Sequence, residues 1–178
     1  LTTVVMKSNK FKTLFASVPT ITDITFDYNG VIPPNACKDR TALSSVVIGN
    51  QITSTGSNAF NSCSNLSSII FTSTSNLSSI GTSAFKNCVL LETFDIPDTV
   101  TTIGTSAFDG MSILTSITIP SLVTTIGSFS FNNCPLLTNV VIHSKNINFS
   151  TVFNGINQLT NIKFDYDYVL PADVCKDR

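Results

Sequence analysis

The sequence predicts a repeat solenoid, a right-handed superhelix of short parallel strands and tight turns, with about eight coils of 22–25 residues filling positions 1–178. Three observations predict it. Ile80-Gly-Thr-Ser-Ala-Phe85, Ile103-Gly-Thr-Ser-Ala-Phe108 and Ile126-Gly-Ser-Phe-Ser-Phe131 repeat one pattern at a spacing of 23, and Thr55-Gly-Ser-Asn-Ala-Phe60 is a fourth copy with Thr in first place. Taking the last residue of each as an anchor extends the register to Phe15, Cys37, Phe60, Phe85, Phe108, Phe131, Phe153 and Cys175. Finally, each anchor but the last is followed at +6, +9 and +11 by apolar residues, from Ile21/Ile24/Phe26 through Leu91/Phe94/Ile96 to Leu159/Ile162/Phe164. A fixed period of this length is the signature of stacked supersecondary units.

Within one repeat, the elements follow in order. The apolar trio is short, rich in β-branched residues and partly alternating, which reads as a strand. Pro97 and Pro120 follow two of these strands and stop them extending. A second apolar pair then precedes the anchor: Ile52 with Thr55, Leu77 with Ile80, Val100 with Ile103, and Val123 with Ile126. Gly56, Gly81, Gly104 and Gly127 come next, at a bend. The segment Ser83–Cys88 is expected to form a single helical or 3₁₀ turn that carries Phe85 inward. One such unit cannot bury its own apolar face, but stacked units can. With adjacent strands ~4.8 Å apart, eight coils make an array on the order of 40 Å long.

Composition fits a folded array with little surface charge. Hydrophobic residues make up 42% and charged residues 12% of the chain, and the net charge is −1. The mean hydropathy of +0.30 argues against disorder despite the abundance of Ser, Thr and Asn. There is no basic footprint of the kind nucleic-acid binding requires, so no nucleic-acid partner is expected. No apolar run reaches the ~18 residues of a membrane helix, so no direct membrane insertion is expected.

The pattern L-x-x-I-x-I-P-x-x-V-x-x-I-G-x-x-A-F-x-x-C-x-x-L resembles the BspA-like class of leucine-rich repeats. Residues Leu114 through Leu137 match it almost throughout, with Ser130 where Ala is usual, and the likeness covers nearly the whole chain. The Asn or Cys that generally follows the strand in leucine-rich repeats is missing, so no asparagine ladder is expected. The resemblance implies a surface or secreted protein of bacteria or mucosal protists that adheres to hosts or other cells. Thr22–Arg40 also resembles Thr160–Arg178 at an offset of 138 residues, six consecutive intervals. The chain, which begins at Leu1 without a Met, is therefore expected to be a piece of a longer array of six-repeat blocks.

Candidate chemistry is sparse. Cys63, Cys88 and Cys134 sit three residues after an anchor, where other repeats carry Met111 and Ile156, and Cys37 and Cys175 occupy anchor slots. Positions that accept Cys, Met or Ile are packed apolar sites, so buried thiols are expected. A Cys63–Cys88 bridge across one coil is the single disulfide the spacing permits. With no C-x-x-C pair and one His, no metal site or cofactor is expected. His143 reads as a surface turn residue, and Glu92, Asp95, Asp98 and Asp109 read as a solvated face. Catalysis needs distinct groups converging on one pocket, and near-identical coils offer none, so the expected role is non-enzymatic.

The outward strand positions, at +8 and +10, are the natural contact surface of a solenoid. The proposed protein-binding face comprises Ser68, Ile70, Thr93, Asp95, Ser116, Thr118, Asn139 and Val141. Its expected partner is a protein or glycoprotein on a host or neighbouring cell; the alternative is a structural spacer that presents another domain. A second set of paired hydroxyls, Thr53/Ser54, Ser78/Ser79, Thr101/Thr102 and Thr124/Thr125, is expected to turn one column inward.

Overall fold

The computed structural model describes residues 3–9, 20–145, 147, 152–153 and 159–165. Twelve strands follow in order: β1 (Thr3–Met6), β2 (Asp23–Phe26), β3 (Gly30–Ile32), β4 (Ser45–Ile48), β5 (Ile52–Thr55), β6 (Ser68–Phe71), β7 (Ser79–Ile80), β8 (Thr102–Ile103), β9 (Ser116–Ile119), β10 (Thr125–Ile126), β11 (Asn139–Ile142) and β12 (Asn161–Phe164). All pairings are parallel and link strands one coil apart. The L-x-x-I-x-I strands form two sheets, β1-β2-β4-β6 and β9-β11-β12, and the second apolar segment forms a third, β3-β5-β7-β8-β10. The strand register carries like onto like: Ile24 faces Val46 and Val46 faces Ile69, while Ile117 faces Val140.

This is the predicted solenoid. Six anchors, Cys37, Phe60, Phe85, Phe108, Phe131 and Phe153, fall within the described residues, which make up about six turns rather than eight. Phe15 and Cys175 lie outside the described residues, although β2, the strand that follows Phe15 in the register, is described. Strand β1 is an addition that the anchor register does not announce. Its Val4 and Met6 extend the inward columns of Ile24 and Phe26.

The expected helical turn at the anchor is replaced by a chain of β-turns, and no helix occurs among the described residues. The reason lies in where the N–H groups go. Ala84 donates to Gly81 and Cys88 to Phe85 within the coil, closing i→i−3 turns at 3.2 Å. The intervening Ser83, Phe85 and Asn87 donate instead to Thr105, Ala107 and Asp109 of the next coil, at 2.8–2.9 Å. A helix would spend those donors on itself. Left-handed residues two before and two after each anchor turn the peptide planes outward: Asn58 and Ser62, Ser83 and Asn87, Ser106 and Gly110. Asn and Gly tolerate that conformation well, which accounts for their place there. Phe129 adopts it too, at φ 61°, with its ring 42% exposed.

The bend glycines are there for space. A Cβ on Gly81 would lie 2.6 Å from the Thr55 carbonyl oxygen, and one on Gly127 2.3 Å from the Thr105 amide nitrogen. Each glycine thus lets the preceding coil's backbone lie against its own. Where Thr55 replaces Ile, its hydroxyl accepts the Gly81 N–H at 3.1 Å, a bond that the Ile80 carbonyl provides for Gly104 one coil later. Ser130, in the usual Ala slot, is fully buried and donates to the Gly104 carbonyl at 3.0 Å.

The core is one continuous set of columns. Phe60, Phe85, Phe108, Phe131 and Phe153 stack with centroids 5.1–6.0 Å apart and near-parallel planes. At Cys37 the anchor is too small to continue the stack, and Phe26 from β2 meets Phe60 edge-on at 5.8 Å instead. Hydroxyls stitch the coils outside the core. Ser44 and Ser67 donate to the carbonyl one coil back, as do Thr138 and Thr160. Ser78, Thr101 and Thr124 form a second such ladder at 3.1–3.3 Å. Contrary to expectation, neither column of the paired hydroxyls is buried: Thr53, Ser78, Thr101 and Thr124 are exposed, Ser54, Ser79 and Thr102 are partly exposed, and Thr125 is exposed. The buried residues on that side are Ile52, Leu77, Val100 and Val123 with their partners Thr55, Ile80, Ile103 and Ile126 three chain positions on.

Candidate functional site

The eight residues of the predicted binding face are all at least partly exposed, but they do not lie on one unbroken sheet. Ser68 and Ile70 belong to β6, the last strand of the first sheet. Ser116 and Thr118 lie on β9, and Asn139 and Val141 on β11, in the other. Thr93 and Asp95 stand between them on a stretch that forms no strand, against the reading of Leu91/Phe94/Ile96 as one. Among the described residues no backbone hydrogen bond joins residues 92–96 to β6 or to β9.

Three local features account for the break. The interval from Phe60 to Phe85 is 25 residues, which puts extra chain in the turn after β6. Glu92 occupies the ladder position held by Ser44, Ser67, Thr115 and Thr138, so the stitching hydroxyl is lost. Phe94 and Phe71 place two rings on adjacent coils where the other repeats pair at least one aliphatic side chain; they meet edge-on at 5.8 Å. Phe94 also wedges against Phe85 and Phe108, at 4.8 Å from each.

The consequence is a cleft. Ile69 and Phe71 of β6 are only half-buried, whereas their counterparts Val46, Ile48, Ile117 and Ile119 are buried. A cavity of about 620 Å³ opens there, lined by Ile69–Ser75 on one side and Asp95–Thr99 on the other. Ile70 is 51% exposed at its edge. N-terminal to the strand positions, Leu90, Ile113 and Leu136 occupy one repeat position on consecutive coils, with Leu90 and Leu136 exposed. This apolar ridge, unnoticed in the sequence, was visible there as three aliphatic residues at +5.

The charged residues divide differently from the expected solvated cluster. Asp109 is buried: Lys86 of the preceding coil lies 2.7 Å away, and Asn133 of the next donates to it at 2.9 Å. Glu92, Asp95 and Asp98 are exposed, with no ion pair among the described residues. His143, read from the sequence as a surface turn residue, is partly exposed and faces Asp165 of the following coil at 3.1 Å. Among the described residues no group of three or more His, Cys, Asp and Glu could hold a metal ion, and no helix is long and apolar enough to cross a membrane.

Cys37, Cys63, Cys88 and Cys134 are buried free thiols, so Cys63 and Cys88 are not bridged; Cys175 lies outside the described residues. Cys63, Cys88 and Cys134 donate to the carbonyls of Cys37, Phe60 and Phe108, each in the coil before. Burial, the leading cause, pushes the Cys63 thiol up to about 12 and Cys134 to about 11, and holds Cys37 and Cys88 well above the ordinary value. These thiols are structural and inert. The folded chain keeps protons that the unfolded chain releases above pH 9, so the thiols' contribution to stability is expected to be fully present below that pH and to be lost as pH rises from about 9 to about 12. Denaturant midpoints across that range check it. Replacing Cys63, Cys88 and Cys134 together by Ala should flatten the decline, and an unchanged slope would refute the assignment.

Known proteins give this geometry its context. Residues 78–169, just over half of the chain, match the model of the BspA type leucine rich repeat region, in six copies. No curated protein matches. Among solved structures, a leucine rich repeat protein of T. pallidum is similar at 22% identity with a TM-score of 0.72, over 80% of this chain and 69% of that one. A leucine-rich repeat protein from Bacteroides ovatus is similar at 27% identity and a TM-score of 0.63, over 77% of this chain. This chain spans 35% of the length of that protein. The parallel-strand solenoid is thus a shared fold, and the chain belongs to the BspA-type leucine-rich repeat family.

Proposed function

We propose that the chain is a non-enzymatic protein-binding module of a cell-surface or secreted protein, and that its strand face engages proteins or glycoproteins of a host or neighbouring cell. The observation that carries this reading is the face itself. Thr93, Asp95, Ser116, Thr118 and Asn139 are exposed on consecutive coils, with the Leu90/Ile113/Leu136 ridge beside them. Hydroxyls and amides mixed with a few apolar side chains make adaptable interfaces, and exposed apolar rows mark contact sites. Coil-to-coil hydrogen bonds between β9 and β11 hold Ser116, Thr118 and Asn139 in place, so little ordering cost is paid there on binding. Family membership supports a repeat module of this kind.

The test is a pull-down against purified extracellular-matrix and epithelial surface proteins with the wild-type chain and Thr118→Arg. Thr118 is exposed at the centre of β9, so the variant should fold normally while losing at least tenfold in capture. A spacer would capture nothing in either form, and capture indifferent to Thr118→Arg would move the contact off this face.

A further inference from the structure

We propose that the cleft at the break between β6 and residues 92–96 docks an extended, basic segment of a partner protein. The partner's main chain would pair with the free edge of β6, and a lysine or arginine head group would lie at Asp95 and Asp98. This deepens the strand-face reading and rests on it.

Three independent features meet at this place. First, β6 is hydrogen-bonded to β4 on one side only, so the N–H and C=O groups of Ser68–Phe71 on the other side face the cleft without a strand to receive them. An unpaired parallel edge is a template for strand addition. Interior strands of the two strand-face sheets are paired on both sides; among the described residues their strands with one unpaired side are β6 and β9, at the break, and the outermost strands β1 and β12, and the cleft lies at β6. Second, the cleft has the size and build of a binding site rather than of a packing flaw. Its volume of about 620 Å³ lies in the range of ligand pockets, and Ile70, Phe71, Ile96 and Pro97 supply apolar walls. Third, the charge is one-sided. Asp95 and Asp98 line the cleft, and among the described residues neither has an ion pair and no lysine, arginine or histidine lines it. The closest cation in sequence, Lys86, is committed to Asp109.

The chemistry of the occupant follows. A hydrophobic segment would satisfy the walls and leave two carboxylates desolvated beside it, which is costly. An acidic segment would add repulsion. A lysine or arginine answers both demands, because its aliphatic stem lies on Phe71 and Ile96 while its head stays at the wet, carboxylate-bearing rim. An extended backbone, in turn, is what the edge of β6 can hydrogen-bond.

The probe is a ten-residue peptide alternating lysine and threonine, with a counterpart in which glutamate replaces lysine. Binding is read by the methyl resonances of Ile69, Ile70 and Ile96 and by fluorescence anisotropy, for the wild type and for Asp95→Asn combined with Asp98→Asn. Both positions are exposed, and an unchanged unfolding midpoint verifies that the variant folds. The basic peptide is expected to shift those three methyls and to weaken with salt, the acidic peptide to bind at least tenfold more weakly, and the double variant to lose at least tenfold for the basic one. A lysine peptide methylated on its backbone nitrogens should bind more weakly than its parent if the β6 edge pairs with it. Resonance shifts centred elsewhere, such as around Asp23 and Asp27, or unchanged affinity in the double variant, would overturn the proposal. If matrix-protein capture survives Asp95→Asn/Asp98→Asn but is lost in Thr118→Arg, the strand-face reading stands and the cleft proposal alone fails.

Discussion

Gly104→Ala is expected to lower stability by about 3 kcal/mol, although it adds only one methyl group. The added Cβ would lie 2.5 Å from the Thr82 amide nitrogen, 2.6 Å from the Gly81 carbonyl carbon and 2.8 Å from the Thr82 Cα. All three are backbone atoms, so no side chain can swing aside. Relief requires the coils to part. Parting would stretch the bond from Gly104 N–H to the Ile80 carbonyl, now 2.8 Å. The expectation has a useful sign. Where the fold accommodates Ala, replacing glycine stabilises by about 0.4–1 kcal/mol because the unfolded chain loses freedom. A denaturant midpoint that rises or holds steady in Gly104→Ala would therefore contradict close coil-to-coil stacking, whereas a fall supports it. Thr101→Ala, at an exposed rung of the hydroxyl ladder, is the control for substituting in the same coil.

Those glycines also mark how far the sequence could be read. Their period was plain, and it correctly put a glycine after Thr55, Ile80, Ile103 and Ile126. A bend was the natural reason to give from the sequence. The structural reason, the backbone of the neighbouring coil, is a long-range contact that no local pattern encodes. The same distinction separates the other successes from the misses. The apolar columns were legible because burial in a solenoid is strictly periodic: Leu43, Leu66, Leu91, Leu114 and Leu137 all came out buried. The helical turn was misjudged because Ser83–Cys88 carries helix-compatible residues, while the fate of the Phe85 N–H is decided by Ala107 one coil away. The break at residues 92–96 left traces in the sequence, in the 25-residue interval and in Glu92 standing among hydroxyls. Neither trace says that a strand is lost. That depends on two rings, Phe71 and Phe94, arriving at the same level from different coils. The candidate face was therefore legible as a set of outward positions, and its division by a cleft was not.

Phe108→Ala should cost about 3–5 kcal/mol, and the position of its ring in the stack sets it near the upper end. Phe108 is fully buried and touches three other rings: Phe85 at 6.0 Å and Phe131 at 5.2 Å, both stacked, and Phe94 edge-on at 4.8 Å. Truncation removes the transfer energy of the ring, leaves a cavity that rigid coils cannot close, and strips each neighbour of an aromatic contact worth about 0.5–1.5 kcal/mol. Ser116→Ala, on the exposed side of β9, should stay within about 0.5 kcal/mol. Comparable midpoints for the two variants would contradict the assignment of inward and outward positions. Coupling gives a finer test. Phe94 contacts Phe85 of its own coil and Phe108 of the next, beside the stretch where residues 92–96 and β9 share no backbone hydrogen bond. Along that stretch ring packing takes the place of the strand ladder. The double variant Phe94→Ala/Phe108→Ala should then fall short of additivity by about 0.5–3 kcal/mol. Strict additivity would mean that the two rings act independently and that some other contact bridges the break.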